Sequence, residues 1–291
     1  MLSIVIPTHN RKNDLSILLS QIKEQALSLD VTINIIVVVD GSTDGTCEML
    51  TSEYPEAHMV HGDGSLWYTR SMNEGFKYAL TYLEQDYILT LNDDVELSAD
   101  YLDQVSKAAE KSNGRTIIGS LGVTISKPHQ IVTSGNRIRN KWLHLYSSHI
   151  PFLKEVDPNR LQGLHPSVTL PGRGMLIPVN VLKALNCFDE KFKQYHSDGD
   201  FTLRALRAGY EVKISWDATV YVNLEKTSNT TSFLNKSLWV LIKSFYNPVS
   251  RNYLPDKARI MWRHGHKLFF PIKMILFIII SFRNISTKNN I

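Results

Sequence analysis

A nearly continuous run of isoleucine and valine, Thr32–Val39, constrains the fold of this chain more than any other feature of its sequence. A run of this length that is apolar on both faces is typical of a central strand in a parallel sheet, which helices cover on each side. Turn-forming residues begin at Asp40, directly after the run. Because ligands bind outside the carboxyl ends of the strands in such sheets, we expect a functional site there.

Strand and helix signals alternate through residues 1–115. A β-branched run closed by Pro7 predicts the first strand, and leucines at helical spacing predict the helix after it. Repeats of this unit predict an α/β fold with a mainly parallel central sheet and flanking helices. The predicted strands are 2–6, 32–39, 59–60 and 87–91, and the predicted helices are 15–26, a short one ending at 50, 72–83 and 99–112.

The pattern changes after residue 115, and residues 140–166 show no clean period, which predicts a mobile or substrate-facing insertion. We divide the chain into an α/β domain at 1–225, with halves at 1–115 and 116–225, and a C-terminal helical extension at 226–291. In the second half we predict strands at 116–125, 130–139, 168–177, 212–214 and 219–222 and helices at 179–186 and 201–208.

The C-terminal extension is both basic and apolar. From Arg251 onward, eight Lys or Arg residues face a single acid, Asp256, so this stretch carries a net charge of +7 against +4 for the whole chain. Its largely apolar segment Leu268–Phe282 is short for a bilayer span, which needs about 20 residues. We expect a helix that lies in the membrane interface and is attracted to anionic headgroups. The alternative is a helix that packs on the α/β domain or on a partner chain.

Several classes of function are excluded by what the sequence lacks. Cys47 and Cys187 are too few for a disulfide framework or an all-cysteine metal site. The chain has no P-loop pattern, and Trp67 stands where the last glycine of a dinucleotide fingerprint beginning at Gly62 would belong. The apolar interior of the basic extension favours lipid over nucleic acid. The start of the chain predicts no signal peptide, and we therefore expect a cytoplasmic protein, peripheral at the inner face of the cell membrane.

Four polar clusters follow predicted strands, at Pro7–Asn10, at Asp40–Ser42, at Asn92–Asp94 and in the loop that begins at Gly62. Each cluster alone is explained as a set of turn residues. All four are expected at the same edge of the sheet, and together they indicate a ligand site.

These segments, in this order, resemble the inverting glycosyltransferases of family 2, which have the GT-A fold. Ser3–Arg11 is similar to that family's strand and Pro-Thr-Tyr-Asn-Arg start, with His9 in place of the aromatic residue. Val38–Thr46 is similar to its acidic-Gly-Ser-x-Asp-Gly-Thr segment, and Leu89–Asp94 stands where its Asp-x-Asp motif belongs. Phe188–Tyr210 looks like its acceptor-side region. The resemblance covers about residues 2–225, and Gly64–Trp67 and Pro171–Met175 resemble a bacterial rhamnosyltransferase-like subset.

The resemblance implies a UDP- or dTDP-sugar donor bound by the first half of the domain together with a divalent cation, Mg²⁺ or Mn²⁺. Asp40 and Thr8 would hold the nucleobase, Asn92 the ribose and Asp94 the cation. Asn92 stands where the family usually has Asp, and Asn223 stands near a metal-binding His of many relatives, so Asn223 is either a weak ligand or the third protein ligand is missing. The remaining residues of the predicted donor site are Pro7, Asn10, Arg11, Ser42, Trp67, Asn73 and Asp93.

An inverting reaction needs one displacement and one general base, with no protein nucleophile. The resemblance points to Asp198 as that base, with Asp200 as the alternative. Ser197 and Asp200 also match a capping box that opens the following helix, which is compatible with Asp198 as the base. Arg173, His196 and Arg204 are predicted on the acceptor or phosphate side, and Trp67 and Trp142 are candidates to stack on sugar faces.

The sequence thus predicts a metal-dependent inverting glycosyltransferase that moves one sugar to a glycan or lipid-linked glycan acceptor during surface polysaccharide synthesis. Two alternatives stay open. A sugar-nucleotide nucleotidyltransferase shares the sheet type, although the Pro7–Arg11 segment lacks the glycine-rich loop that we expect of such an enzyme. A non-catalytic partner protein that binds a nucleotide sugar is the other alternative.

Overall fold

The structure is a computed structural model that describes residues 1–140, 145–224 and 238–286. Its strands are β1 (Leu2–Thr8), β2 (Ile33–Asp40), β3 (His58–Gly62), β4 (Tyr87–Thr90), β5 (Val95–Leu97), β6 (Thr116–Thr124), β7 (Ile131–Thr133), β8 (Asn136–Asn140), β9 (Leu145–Ser148), β10 (Leu164–Pro166), β11 (Met175–Pro178) and β12 (Glu211–Val222). Its helices are α1 (Lys12–Ala26), α2 (Thr46–Glu53), α3 (Trp67–Tyr82), α4 (Tyr101–Glu110), α5 (Val179–Ala184), α6 (Ser197–Arg207), α7 (Leu238–Tyr246), α8 (Leu254–His264) and α9 (Phe270–Ser286).

One large sheet forms the centre of the molecule. Its strand order is β10-β12-β6-β11-β4-β1-β2-β3, with β5 added to β12 and β7 added to β6. Strands β3, β2, β1 and β4 are parallel to one another, and β6 is parallel to β12, while β11 is inserted antiparallel between β4 and β6. The predicted α/β fold with a mostly parallel sheet, flanking helices and a C-terminal helical tail is confirmed.

Helices cover both faces of the sheet, which explains why β2 is apolar on both sides. Residues of α1, α2 and α4 pack on one face, and residues of α3, α5 and α6 pack on the other. Gly75 lets α3 approach the sheet closely, because a Cβ there would overlap the Val5 side chain and lie 3.1 Å from that of Val38. Each aliphatic side chain buried in these layers contributes about 1.5–3 kcal/mol.

The strand directions bring distant parts of the chain to one edge of the sheet. Strands β1, β2 and β4 end at this edge, and the antiparallel β11 begins there, since Met175 pairs with Thr90. Strand β12 is parallel to β6 and ends at the same edge at Val222. We call this the carboxyl edge of the sheet.

The second half of the domain differs from the prediction in its strand boundaries. Strand β12 is continuous where we predicted two strands, and it accommodates an irregularity in its pairing with β6 between Ser215 and Thr219. The segment predicted as one strand at 130–139 is divided into β7 and β8 at Gly135, which has a φ of 77°. The predicted insertion at 140–166 contains β9, a 3₁₀ turn at Pro158–Arg160 and β10. Trp142 lies outside the described residues.

The C-terminal extension consists of helices in its described part. None of the helices in the described ranges combines the length and the apolar character that crossing a bilayer requires. Helix α8 packs against the loop before α6, because Arg259 donates to the Lys191 carbonyl and its guanidinium lies 5.4 Å from the centre of the Phe192 ring. The extension is therefore anchored on the α/β domain.

Candidate active site

The loops after β1 and β2 are joined to each other at the carboxyl edge. Asn10 has a left-handed backbone, and its side-chain oxygen accepts from the Thr43 N–H at 2.7 Å. The Asn10 N–H donates to the Ser42 hydroxyl at 3.0 Å. Pro7 pairs with Val38 inside the sheet, and Thr8 is buried beside Asp93. Asn10 and Ser42 therefore fix the shape of the crevice.

Asp40 is the last residue of β2 and is bound by the protein itself. One of its carboxylate oxygens accepts from the Gly64 N–H at 2.7 Å, and the other accepts from the N–H groups of Leu66 and Trp67 at 3.0 and 3.1 Å. The side chain is buried, so these three bonds use most of its accepting capacity. The geometry favours a role for Asp40 in holding the loop 62–67 in place over the direct nucleobase contact that we predicted.

Trp67 begins α3 in a left-handed conformation, with a φ of 57° and 43% of its surface exposed. A bulky residue is rarely held in this conformation unless its surroundings impose it. The bond from its N–H to Asp40 is part of that constraint. Asn73 lies further along α3 and makes two hydrogen bonds to the backbone of Phe188. Its side-chain N–H donates to the Phe188 carbonyl at 2.9 Å, and its side-chain oxygen accepts from the Phe188 N–H at 3.0 Å. Trp67 thus faces solvent at the crevice, whereas Asn73 joins α3 to the second half of the domain.

The loop after β4 brings two carboxylates together with one arginine. The Arg11 guanidinium lies 2.9 Å from the Asp94 carboxylate and 3.8 Å from that of Asp93. Burial raises the pKa of Asp93 to about 7 and the adjacent Asp94 adds to this shift, while Arg11 opposes it. The side-chain oxygen of Asn92 is buried and has no hydrogen-bond partner among the described residues.

The side-chain oxygens of these residues are of the kind that binds a divalent cation. Carboxylate and amide oxygens are the ligands that Mg²⁺ prefers, and it commonly uses only one or two protein carboxylates. Strand β12 pairs antiparallel with β5 through Val222 and Val95, so the next residues in this register are Asn223 and Asp94. The described residues contain no cluster of three His, Cys, Asp or Glu side chains suited to a metal ion. Asp94 and Asn223 are the residues that would hold the cation, and Asn92 lies beside them.

Asp198 lies in the first turn of α6 and faces the same edge of the sheet. Its two carboxylate oxygens accept from the Gly172 N–H at 3.0 Å and from the Gly199 N–H at 2.7 Å. Gly172 is itself tied to the end of β4, because the Thr90 hydroxyl donates to its carbonyl. Burial raises the pKa of Asp198, although these two backbone bonds and the charges of Arg173 and Arg251 oppose the shift. Asp198 is thereby held rigidly and made more basic.

Tyr68 belongs to this site, although the sequence did not indicate it. Its hydroxyl is buried, has no hydrogen-bond partner among the described residues, and lies close enough to Asp198 and Arg173 to feel their charges. A Cβ at Gly172 would overlap this hydroxyl and lie 2.8 Å from the Tyr68 Cζ. The only sequence signal was the glycine at position 172, which leaves room for the tyrosine.

The Asp200 carboxylate is bound by three side chains, those of two arginines and one histidine. Its completely buried carboxylate lies 2.8 Å from Arg204, 2.8 Å from Arg263 and 2.7 Å from His264. Burial opposes its ionisation, but the bond from His264 and the two arginines outweigh burial and lower the pKa of Asp200 to about 2. A group that is enclosed and this acidic is poorly suited to remove a proton, so the geometry favours a structural role for Asp200.

Three residues close to Asp198 in the sequence, Arg204, His196 and Ser197, bind to other parts of the protein. Arg204 also donates to the carbonyls of Leu185 and Cys187, so all its nitrogens serve the interior of the protein. His196 precedes α6 with a φ of 78°, and its Nε2–H donates to the Arg251 carbonyl at 3.2 Å. The predicted capping box is wrong, because His196 occupies the N-cap position. The Ser197 hydroxyl instead accepts from that of Thr69 at 2.9 Å.

The chain matches a family of known proteins over most of the α/β domain. A family model described as "Glycosyl transferase family 2" matches residues 3–165. The low-salt glycan biosynthesis hexosyltransferase Agl10 of Haloferax volcanii is 23% identical over 215 residues, which are 72% of this chain and 63% of that protein. The chain therefore spans less than two thirds of this relative's length.

Two solved structures have the same fold. The structure of S. aureus TarS residues 1–349 superposes with a TM-score of 0.51 at 14% identity, covering 89% of this chain and 69% of that one. The structure of GalNAc-T7 with UDP, GalNAc and Mn²⁺ superposes with a TM-score of 0.60 at 12% identity, covering 93% of this chain and 55% of that one. The fold is the GT-A fold that the resemblance implied. Because the family model spans more than half of the chain and includes the loops that carry Asp40 and Asp94, the chain belongs to glycosyl transferase family 2.

Proposed function

We propose that this protein is an inverting glycosyltransferase that moves a single hexose or rhamnose from a UDP- or dTDP-linked donor to a glycan or lipid-linked glycan acceptor of a surface polysaccharide. The observation that carries the proposal is the position of Asp94 and Asp198 at one edge of the sheet, one beside Asn92 and the other beside Gly172. The two carboxylates have separate tasks. Asp94 serves the leaving diphosphate, and Asp198 serves the acceptor.

The donor occupies the crevice between the loops after β1, β2 and β4. The exposed indole of Trp67 stacks on a planar face of the donor, and Thr8 and Asp40 bound the nucleobase pocket. Asn92 contacts the ribose through its buried amide oxygen. When bound by Asp94 and Asn223, a divalent cation supplies positive charge that stabilises the leaving diphosphate. The solved structure of GalNAc-T7, which holds UDP and Mn²⁺, supports this assignment by its shared fold.

Asp198 acts as the general base in a single displacement. It removes the proton of the acceptor hydroxyl while the acceptor oxygen bonds to the anomeric carbon and the bond to the donor diphosphate breaks. Because the raised pKa of Asp198 increases its basicity, the carboxylate is a better proton acceptor than an exposed aspartate. The N–H groups of Gly172 and Gly199 keep it oriented during the reaction.

The C-terminal extension supports a location at the cytoplasmic surface of a membrane. Helices α7 to α9 expose many large apolar side chains, among them Trp239, Trp262, Ile275 and Ile279. The extension is also strongly basic, so apolar burial and attraction to anionic lipid favour the same surface. A membrane surface fits an acceptor that is linked to lipid.

Nucleotide-sugar binding and turnover test the proposal. We expect UDP- or dTDP-sugars with Mg²⁺ or Mn²⁺ to raise the melting temperature of the full chain, since a ligand of the native state stabilises it. Asp94→Asn is expected to abolish the metal-dependent part of this shift. The product of transfer should have the opposite anomeric configuration to the donor, which NMR measures. Formation of a nucleotide sugar from a nucleoside triphosphate and a sugar phosphate, or binding without transfer or hydrolysis, would contradict the proposal.

A further inference from the structure

Three cationic side chains lie near Asp198 or near His196, two positions before it. Arg173 precedes β11, while Arg251 and Lys257 come from the extension. The charges of Arg173 and Arg251 act on Asp198, and those of Arg251 and Lys257 act on His196, whose Nε2 lies 3.2 Å from the Arg251 carbonyl. We call Arg173, Arg251 and Lys257 the cation cluster.

Among the described residues, the carboxylates of Asp256 and Asp198 act on members of the cation cluster only through space, without a salt bridge. Two other arginines of the extension are paired, Arg259 with Asp256 at 2.7 Å and Arg263 with Asp189 and Asp200 at 2.6 and 2.8 Å. No carboxylate of the described residues forms a salt bridge with a member of the cluster. Arg173 and Arg251 act on the charge of Asp198, but the carboxylate oxygens of Asp198 accept hydrogen bonds from two backbone N–H groups.

Lys257 is held in this position at an energetic cost. Burial, and after it the positive charge of Arg251, lower the pKa of Lys257 to about 7. Burial, Lys257 and Arg251 likewise lower the pKa of His196 to about 3. Like charges that are brought together and partly buried destabilise one another, and an anionic ligand removes that penalty. Arg and Lys are the side chains that bind phosphate groups in proteins.

The cation cluster also adjoins the apolar surface of the extension. The Lys257 ammonium lies 5.2 Å from the centre of the Phe277 ring on α9. Exposed apolar residues of the same helix, Ile275, Leu276, Ile279 and Ile280, lie within three positions of Phe277, and Ile280 is one turn from it on the same side of α9. A ligand that reaches both features has an anionic head next to Asp198 and an apolar chain beside α9.

We propose that Arg173, Arg251 and Lys257 bind the phosphate or diphosphate group that joins a lipid chain to the acceptor glycan. This proposal rests on the proposed function, because it takes Asp198 as the base that the acceptor hydroxyl approaches. It goes further in assigning the lipid-linked class of acceptor and the residues that recognise its phosphate. The cluster fixes the distance between the phosphate and the hydroxyl that reacts.

Binding of farnesyl diphosphate by the full chain, measured by isothermal titration calorimetry, tests the cation cluster. Farnesol is the uncharged control, inorganic pyrophosphate is the competitor, and UDP with Mn²⁺ reports on the donor site. We expect Arg251→Gln and Lys257→Met each to weaken farnesyl diphosphate binding about tenfold, as the loss of a charged hydrogen bond predicts. Farnesol should bind more weakly than farnesyl diphosphate, and both variants should bind UDP like the wild type.

Lys183→Met is the matched control, because Lys183 is exposed on α5, beside Met1 at the opposite edge of the sheet. Arg251 is exposed, so Arg251→Gln tests the proposal even if Lys257→Met unfolds. Unchanged farnesyl diphosphate binding in Arg251→Gln would overturn the proposal. An equal loss of UDP affinity would also overturn it and assign the cluster to the donor diphosphate. A chain that binds no nucleotide sugar but shows these shifts would refute the proposed function and leave the phosphate site standing.

Discussion

The position of the candidate base depends on a glycine that takes no part in the chemistry. Gly172 donates its N–H to Asp198, and its missing side chain leaves space for the Tyr68 hydroxyl. Tyr68 is held at the start of α3, where its own N–H donates to Gln194 at 3.2 Å. Since the interior is close-packed, a methyl group added at Gly172 must move either the tyrosine or the base.

We expect Gly172→Ala to lower the free energy of unfolding by about 1–3 kcal/mol, because overpacking forces side chains and backbone to shift. Tyr68→Phe alone should be close to neutral, since it removes a buried hydroxyl that has no partner among the described residues. The double variant Gly172→Ala/Tyr68→Phe should recover part of the loss. Urea unfolding of the four proteins measures this coupling. A double variant as unstable as Gly172→Ala would show that the tyrosine is not what the methyl group meets.

Asp198→Asn should reduce the rate of transfer by about 10²–10⁴-fold, the usual contribution of a general base. Because burial raises the pKa of Asp198 above its ordinary value of 3.8, wild-type turnover should rise with pH until this carboxyl is ionised. The variant should lose that rise and bind donor normally. Turnover measured against pH checks this, with Asp103→Asn on the exposed side of α4 as the control. Wild-type turnover in Asp198→Asn would exclude Asp198 as the base.

The buried ion pairs around Asp200 join α6 to α8. Arg263 and His264 of α8 both contact this carboxylate, and Arg263 also reaches Asp189. Asp200 lies two residues after Asp198 in the same helix, so α8 supports the helix that carries the candidate base. The extension is therefore part of the architecture of the active site.

We expect Asp200→Asn to lower the free energy of unfolding at neutral pH by about 3 kcal/mol, because it breaks two ion pairs of a buried carboxylate and leaves two partly buried arginines without their partner. The pKa of Asp200 is lowered to about 2 from 3.8, so its pairing stabilises the protein above the unfolded pKa and is lost as pH falls through that range. The difference between wild type and variant should therefore shrink between about pH 4 and pH 2. Urea unfolding across this range measures it, and a difference that stays constant with pH would contradict the assignment.

Sequence patterns were informative where the signal is local. The apolar run of β2 and the polar residues after β1, β2 and β4 correctly indicated a parallel sheet and its carboxyl edge. Sequence patterns do not predict contacts between residues that are far apart in the chain. The spacing of Ser197 and Asp200 predicts a capping box. In the structure Ser197 bonds to Thr69 on α3, and Asp200 bonds to two residues of α8 that lie more than 60 positions away in the sequence. Tyr68 was missed for the same reason, since only the fold brings it to Gly172.

Across the whole molecule, the candidate sites follow one another along the carboxyl edge of the sheet. The donor loops lie at the ends of β1, β2 and β4, and Asp198 comes next, beside the start of β11. The cation cluster and the apolar surface of α9 lie beyond it, joined by the contact between Lys257 and Phe277. A soluble donor and a membrane-linked acceptor could thus approach the base from different sides.

Helix α9 exposes an apolar face that we expect to bind a membrane surface. Ile275 and Ile279 are 57% and 54% exposed and lie one turn apart on α9, so they share a face. We expect the full chain to sediment with vesicles of phosphatidylcholine and phosphatidylglycerol more than with phosphatidylcholine alone. Raising the salt from about 0.1 M to about 1 M should weaken the difference, because the Debye length falls from about 10 Å to about 3 Å.

The double variant Ile275→Glu/Ile279→Glu should lose most of this sedimentation, because it places two charges on the face that we expect to enter the lipid. Ile17→Glu is the matched control, since Ile17 is 45% exposed on α1 of the α/β domain. Turnover on a water-soluble acceptor should be unchanged in both proteins, because Asp94 and Asp198 lie outside α9. If the double variant sedimented like the wild type, α9 would not be the membrane-binding surface, and its apolar face would have to be covered by protein.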